Sequence, residues 1–182
     1  QDQGKCKEAL EVLGKLIERS PQLAEAHNAL GIVHFAMEQW GQAIEAFQTA
    51  ITLQPKDVSA ETYTSLGVAL HKLRKPEEAE GQLRKAVEID PDYIEAYCKL
   101  GDILGDQECY EEAEKVLSQA IEVDSKCADV YLCLGTIYAA QRSNEEALEA
   151  LSRALDLNPE FAEAHNAIGN VYHNNLRDYD KA

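Results

Sequence analysis

The side chains with the richest chemistry in this chain are five histidines and five cysteines. His27 and His34 stand seven residues apart, which on a helix puts both imidazoles on one face, as a metal pair would need. His71 and His173 are separated by 102 residues, too far to share a ligand. The cysteines (Cys6, Cys98, Cys109, Cys127, Cys133) are odd in number and include no Cys-x-x-Cys pair, a poor framework for disulfides or zinc. Free thiols in the cytoplasm or another reducing compartment are therefore expected. Motifs for catalysis are absent: there is no Gly-rich phosphate loop, no Gly-x-Ser-x-Gly and no His-Glu-x-x-His. Neither catalytic residues nor a metal or cofactor is expected, and the chain reads as no enzyme.

The elements that must position these residues come from an internal repeat. Leu30-Gly31, Leu66-Gly67, Leu100-Gly101, Leu134-Gly135 and Ile168-Gly169 align, with glycines spaced 36, 34, 34 and 34. Twelve residues after each of the first four glycines stands an alanine (Ala43, Ala79, Ala113, Ala147), and seven further on another (Ala50, Ala86, Ala120, Ala154). Five beyond that lies Pro55, Pro91, Ser125 or Pro159, and Pro21 opens the series. Apolar positions recur at three and four, the period of a helix, not at two.

Glycine inside a helix costs about 1 kcal/mol relative to alanine, so its recurrence needs a compensating gain. Close helix contact supplies it. Glycine on a first helix and alanine on a second let the backbones approach, while Leu30, Phe47, Leu66, Leu83, Leu100, Leu117, Leu134 and Leu151 fill the space between. Pro76 suits the first turn of a second helix, and Ser143-Asn144-Glu145-Glu146 reads as an N-cap followed by helix-starting acids.

The histidines then have a structural reading. His27 and His165 fall where Tyr63, Tyr97 and Tyr131 stand in other units, and His34 falls where Tyr138 and Tyr172 stand. Packing, not metal binding, is expected of them. Trp40, aligned with Tyr110, reads as inter-helix packing.

The repeat resembles the tetratricopeptide repeat (TPR), a helix-turn-helix unit of 34 residues, along essentially the whole chain. The resemblance implies an all-α fold, a right-handed α-α superhelical solenoid. The expected organisation is a single array over 1–182: a second helix over 3–20, repeats over 24–57, 60–93, 94–127 and 128–161, and a partial repeat over 162–182. Its last unit is expected to be a first helix over about 162–174 and the start of a partner. Two extra residues are placed in the turn around Lys56-Asp57-Val58-Ser59, where loops accept length at small entropic cost. Both ends cut a repeat, so a longer array is expected.

In TPR proteins the first helices line a concave groove, and certain repeat positions touch the ligand. The resemblance carries these onto Glu25, Asn28, Ile32, Phe35, Glu61, Thr64, Val68, Lys72, Glu95, Lys99, Asp102, Asp106, Asp129, Thr136, Asn166 and Asn170. The carboxylate clamp of co-chaperone TPRs and the asparagine ladder of the O-linked N-acetylglucosamine transferase type are both missing at the matching positions. Cys98 and Cys133 fall on neighbouring first helices. Axes about 8–10 Å apart exceed the roughly 4.4–6.8 Å Cα separation of a disulfide, so free thiols are expected there too.

Charge sharpens the ligand class. With 17 basic and 33 acidic residues the net charge is −16, which argues against nucleic acid and anionic membranes. No apolar stretch approaches the roughly 20 residues of a membrane span. Residues 1–90 carry 10 bases and 14 acids, whereas 91–182 carry 7 and 19. The expectation is a non-catalytic scaffold that holds a basic or basic-apolar segment of another protein in its groove. Acids at the second repeat position also suit helix N-termini, so that ladder has a purely structural reading as well. The alternatives are a regulatory or substrate-selecting arm of a larger enzyme such as a glycosyltransferase, a subunit of a larger complex, or a self-assembling scaffold with stacked ends.

Overall fold

The computed structural model describes residues 2–179. Among them are ten α-helices and no strand. Packing divides the chain between Asp90 and Pro91 into two compact units.

The first unit contains α1 (Asp2–Arg19), α2 (Ala24–Ala36), α3 (Trp40–Leu53), α4 (Ala60–Lys72) and α5 (Pro76–Ile89). Here α2 pairs with α3 and α4 with α5, while α1 packs on α2, α3 on α4, and α2 lies beside α4. The second unit contains α6 (Ile94–Asp106), α7 (Tyr110–Val123), α8 (Ala128–Ala140), α9 (Asn144–Leu157) and α10 (Ala162–Tyr179). It repeats the plan: α6 pairs with α7 and α8 with α9, and α6, α8 and α10 form the row of first helices.

Each pair closes on a glycine. A Cβ built on Gly67 would lie 2.8 Å from Leu83 Cγ and 3.2 Å from the Ala79 carbonyl oxygen. On Gly135 it would lie 2.5 Å from Leu151 Cγ and 3.3 Å from the Ala147 carbonyl oxygen. Gly31 meets Phe47 and Gly101 meets Leu117 in the same way. The repeating alanines Ala43, Ala79, Ala113 and Ala147, and the large residues Phe47, Leu83, Leu117 and Leu151, are fully buried. Leu30 is only half-buried. Gly169 has no atom within 4 Å of its Cβ position, and among the described residues no second helix folds back on α10.

That last helix departs from expectation. In place of a first helix ending near residue 174 and a turn, α10 runs unbroken through Tyr179; residues 180–182 lie outside the described residues. Residues 170–179 contain neither Gly nor Pro to stop a helix, and a paired second helix is what holds the equivalent turns elsewhere. The longer α3–α4 connection is present, with six residues between Leu53 and Ala60 against four between Val123 and Ala128. Ser59 caps α4 there, its hydroxyl accepting from the Thr62 N–H at 3.3 Å. Pro76 opens α5. Ser143 sits at the N-cap of α9, but its side chain makes no capping bond. Its N–H donates instead to the Tyr138 carbonyl.

This bond belongs to a turn that sequence reading missed. Glu38, Arg74, Glu108 and Arg142 all adopt positive φ, between 56° and 64°, although none is glycine. In each turn the positive-φ residue donates to a carbonyl three residues back and the next residue donates to one five back, as in Glu38 to Phe35 and Gln39 to His34. These are Schellman closures, which satisfy helix-end carbonyls.

Two stability predictions follow from these contacts. Gly135→Ala should lose about 1–3 kcal/mol through overpacking against Leu151, whereas Gly169→Ala should be neutral or gain up to about 1 kcal/mol from helix propensity. Urea unfolding of both variants checks the contrast. Replacing Arg142 by Gly should gain about 0.5–1 kcal/mol, since relief of the left-handed strain, roughly 1–2 kcal/mol, outweighs the added chain entropy of glycine; a drop in melting temperature would contradict it.

Candidate functional site

The row of first helices in the second unit lines a half-open cavity of about 720 Å³. Glu95, Lys99 and Asp102 of α6, Asp129 and Thr136 of α8, and Asn166 and Asn170 of α10 line it, so seven of the groove positions drawn from the repeat come together here. Helix periodicity explains this. Positions 95, 98, 99 and 102 share one face of α6, and 129, 132, 133 and 136 share one face of α8.

Four carboxylates, Glu95, Asp102, Asp129 and Glu163, surround this cavity against one cation, Lys99. Glu95 accepts from the Tyr93 hydroxyl at 2.8 Å. Glu95, Asp129 and Glu163 sit in the first turns of their helices, where the helix dipole favours anions. Asp106 ends α6, exposed, and is not part of the lining.

Three thiols share the same space. Cys98, Cys127 and Cys133 all line the cavity; repeat position put the first and last on the groove side, whereas Cys127 was missed. All five cysteines are free, as expected. The neighbouring Cys98 thiol, burial and the charge of Asp102 push the Cys133 thiol well up. Burial pushes Cys127 up as well. Further along the same two helices, a Cβ on Gly105 of α6 would overlap Ile137 of α8.

In the first unit the carried-over positions disperse. Glu25, Asn28 and Ile32 line a smaller pocket of about 220 Å³ with Val58, Ser59 and Asp57 from the lengthened turn. Asn28 is engaged internally, its Oδ1 accepting from the Thr62 hydroxyl at 2.9 Å. Phe35 packs edge-on against Trp40, with ring centres 5.2 Å apart, which is the packing role expected of the tryptophan. Thr64 is buried and its hydroxyl lacks a partner. Glu61 and Lys72 are exposed at the two ends of α4, Val68 is half-buried, and none of the three lines this pocket.

The histidine pair is taken up by structure. His27 Nε2 donates to the Pro21 carbonyl at 2.9 Å, and His34 Nδ1 bonds Gln39 Oε1 at 2.6 Å. His165 repeats the first contact with Pro159, and the Tyr131 hydroxyl reaches the Ser125 carbonyl at 3.2 Å. Tyr131 thus donates to the carbonyl six residues earlier, as His27 and His165 do. No group of three or more His, Cys, Asp or Glu able to hold a metal occurs among the described residues. On another face of the second unit, Tyr138 donates to Glu114 at 2.8 Å. Burial, then that bond, pushes its phenol up to about 12.

Three family models match: "Tetratricopeptide repeat" over residues 22–92 and 83–115, and "TPR repeat" over 137–175. The chain belongs to the tetratricopeptide repeat family, and the TPR fold makes it a protein-interaction scaffold in the general sense. It is similar to the crystal structure of YrrB, described as a TPR protein with an unusual peptide-binding site: 28% identity, a TM-score of 0.75, 91% of this chain and 84% of that one. The structure of MamA shares the fold at 23% identity and a TM-score of 0.78, over 89% of this chain and 94% of that one. A curated relative, Protein O-mannosyl-transferase TMTC1 of Mus musculus, is 30% identical over 95 residues. The match takes in 51% of this chain and 10% of that relative's length. No described helix is long and apolar enough to cross a membrane.

Asn28→Ala should lose about 1 kcal/mol by breaking the bond to Thr62. A double-mutant cycle with Thr62→Val should return a coupling energy of similar size, and zero coupling would show the bond contributes nothing.

Proposed function

We propose that this chain is a non-catalytic scaffold that holds a basic or basic-apolar segment of another protein against the first helices of its second unit. The observation that carries this reading is the cavity of about 720 Å³ with four carboxylates and one lysine on its walls. Lysine or arginine heads of a bound segment would meet Glu95, Asp102, Asp129 and Glu163, while Ile94, Leu132 and Ala167 offer apolar contact between them. The surrounding acid excess steers such a segment in, and that attraction weakens as salt rises. YrrB, similar in fold and described as having a peptide-binding site, supports a peptide as the ligand class. Five free cysteines fit a reducing compartment.

A second reading follows from the O-mannosyl-transferase relative: the chain as a substrate-selecting or regulatory arm of a larger enzyme. Both readings use the same groove, and they differ in whether the captured segment is then modified.

Binding of a fluorescent peptide of alternating lysine and leucine tests the groove. Asp102→Lys with Asp129→Lys should weaken it about tenfold or more, equivalent to roughly 1.4 kcal/mol, and flatten its salt dependence with helicity intact. Asp106→Lys, outside the cavity, should weaken it far less. Equal losses from all these changes would mean the charge acts only as a diffuse field.

A further inference from the structure

Four helix pairs of this chain close in one way. A first-helix glycine receives the large residue sixteen positions on, as Gly31 does Phe47 and Gly135 does Leu151, and both partners are buried. Two further helices each carry one half of this contact. The first is α1, which packs on α2 as α3 packs on α4, in the place of a second helix. Its Ala9, Val12 and Leu13 stand 34 residues before Ala43, Ala46 and Phe47. Those three are buried, whereas Val12 is 64% exposed and Ala9 and Leu13 are only half-buried. Among the described residues α1 meets no helix but α2.

The second is α10, which packs on α9 and beside α8, in the place of a first helix. Gly169 stands 34 residues after Gly135. It is exposed, with no atom within 4 Å of its Cβ position. Three residues on, Tyr172 is 56% exposed at the repeat position where Leu70 and Leu104 are buried.

We propose that α1 of one copy packs on α10 of the next, completing a glycine-closed helix pair between copies of this chain. A second copy is the occupant these faces specify, because each end presents the half that the other lacks. Ala9 and Leu13 have the spacing of the alanine and large residue that every paired glycine meets. Docking removes the exposed apolar surface of Val12 and Tyr172 from water. Charge does not oppose the contact, although the chain as a whole carries −16. Helix α1 holds four acids against four bases. From Ala162 to Asn174, Glu163 is the one residue among Asp, Glu, Lys and Arg. Since the two faces differ, the contact is heterologous, and copies add head to tail unless they close into a ring. Neither Val12 nor Gly169 borders the acidic cavity, so this pairing holds or fails apart from the groove reading.

Sedimentation velocity across a dilution series tests it. The native chain should gain mass with concentration. Val12→Glu puts a charge into the α1 face and Gly169→Glu fills and charges the space on α10. Each should weaken association about tenfold or more with helicity intact, since both positions are exposed in the single chain. An equal mixture of the two variants should stop at a one-to-one complex, because one copy keeps a sound α10 and the other a sound α1. A native chain that stays monomeric at millimolar concentration leaves both faces to a different partner and overturns the pairing. So does a loss confined to one variant, the mark of a symmetric contact between like ends.

Cross-linking reads the register. In the α2–α3 pair Phe35 meets Trp40 with ring centres 5.2 Å apart, and His173 of α10 and Cys6 of α1 stand at the same two repeat positions. A short bismaleimide should therefore join copies of the His173→Cys variant through Cys6, a linkage that disappears when Cys6→Ser is added. Association without that linkage would place the contact on another surface and overturn the pairing.

Discussion

The contact on which the whole structure depends is the missing side chain of a glycine pressed against the next helix. At Gly67 and Gly135 the space a Cβ would occupy holds a leucine branch and comes within 3.2 and 3.3 Å of a backbone carbonyl. Because the two helices meet nearly backbone to backbone, one large residue from each second helix, Phe47, Leu83, Leu117 or Leu151, fills each pair completely. Propensity alone disfavours these glycines by about 1 kcal/mol each, and the packing they permit more than offsets it. The same device, used once more at Gly105 against Ile137, brings two first helices of the second unit together.

Turn geometry follows from that pairing. Four charged residues, Glu38, Arg74, Glu108 and Arg142, are held at positive φ although each would prefer otherwise. They stay there because the following helix is anchored by its buried alanine and leucine, and because the Schellman bonds satisfy the carbonyls of the preceding one. Where no second helix packs among the described residues, at α10, no such turn forms and the helix continues. Local preference therefore rules where packing is absent and yields where it is present.

Acidic residues have two roles that the structure separates in part. Those in the first turns of first helices favour the helix dipole wherever they stand, including Glu61, which lines no described pocket. Those in the second unit also converge on one cavity, since α6, α8 and α10 lie side by side. A charge count of 7 bases to 19 acids over 91–182 thus becomes four carboxylates around a defined space. In the first unit the equivalent positions are absorbed by internal contacts, as with Asn28 to Thr62 and Phe35 to Trp40.

Sequence by itself determined the helices, their pairing, the lengthened turn before Ser59 and the structural role of His27, because each repeats with a fixed period and periodicity is local information. The tetratricopeptide resemblance, not periodicity, singled out Glu95, Lys99, Asp102, Asp129 and Thr136 as groove positions. Tertiary structure alone decided the strained turns, the unbroken α10 and the gathering of Cys98, Cys127 and Cys133 around one cavity. Those depend on how closely particular helices approach. That distance is set by the side chains on both surfaces together, so no single segment of the sequence contains it.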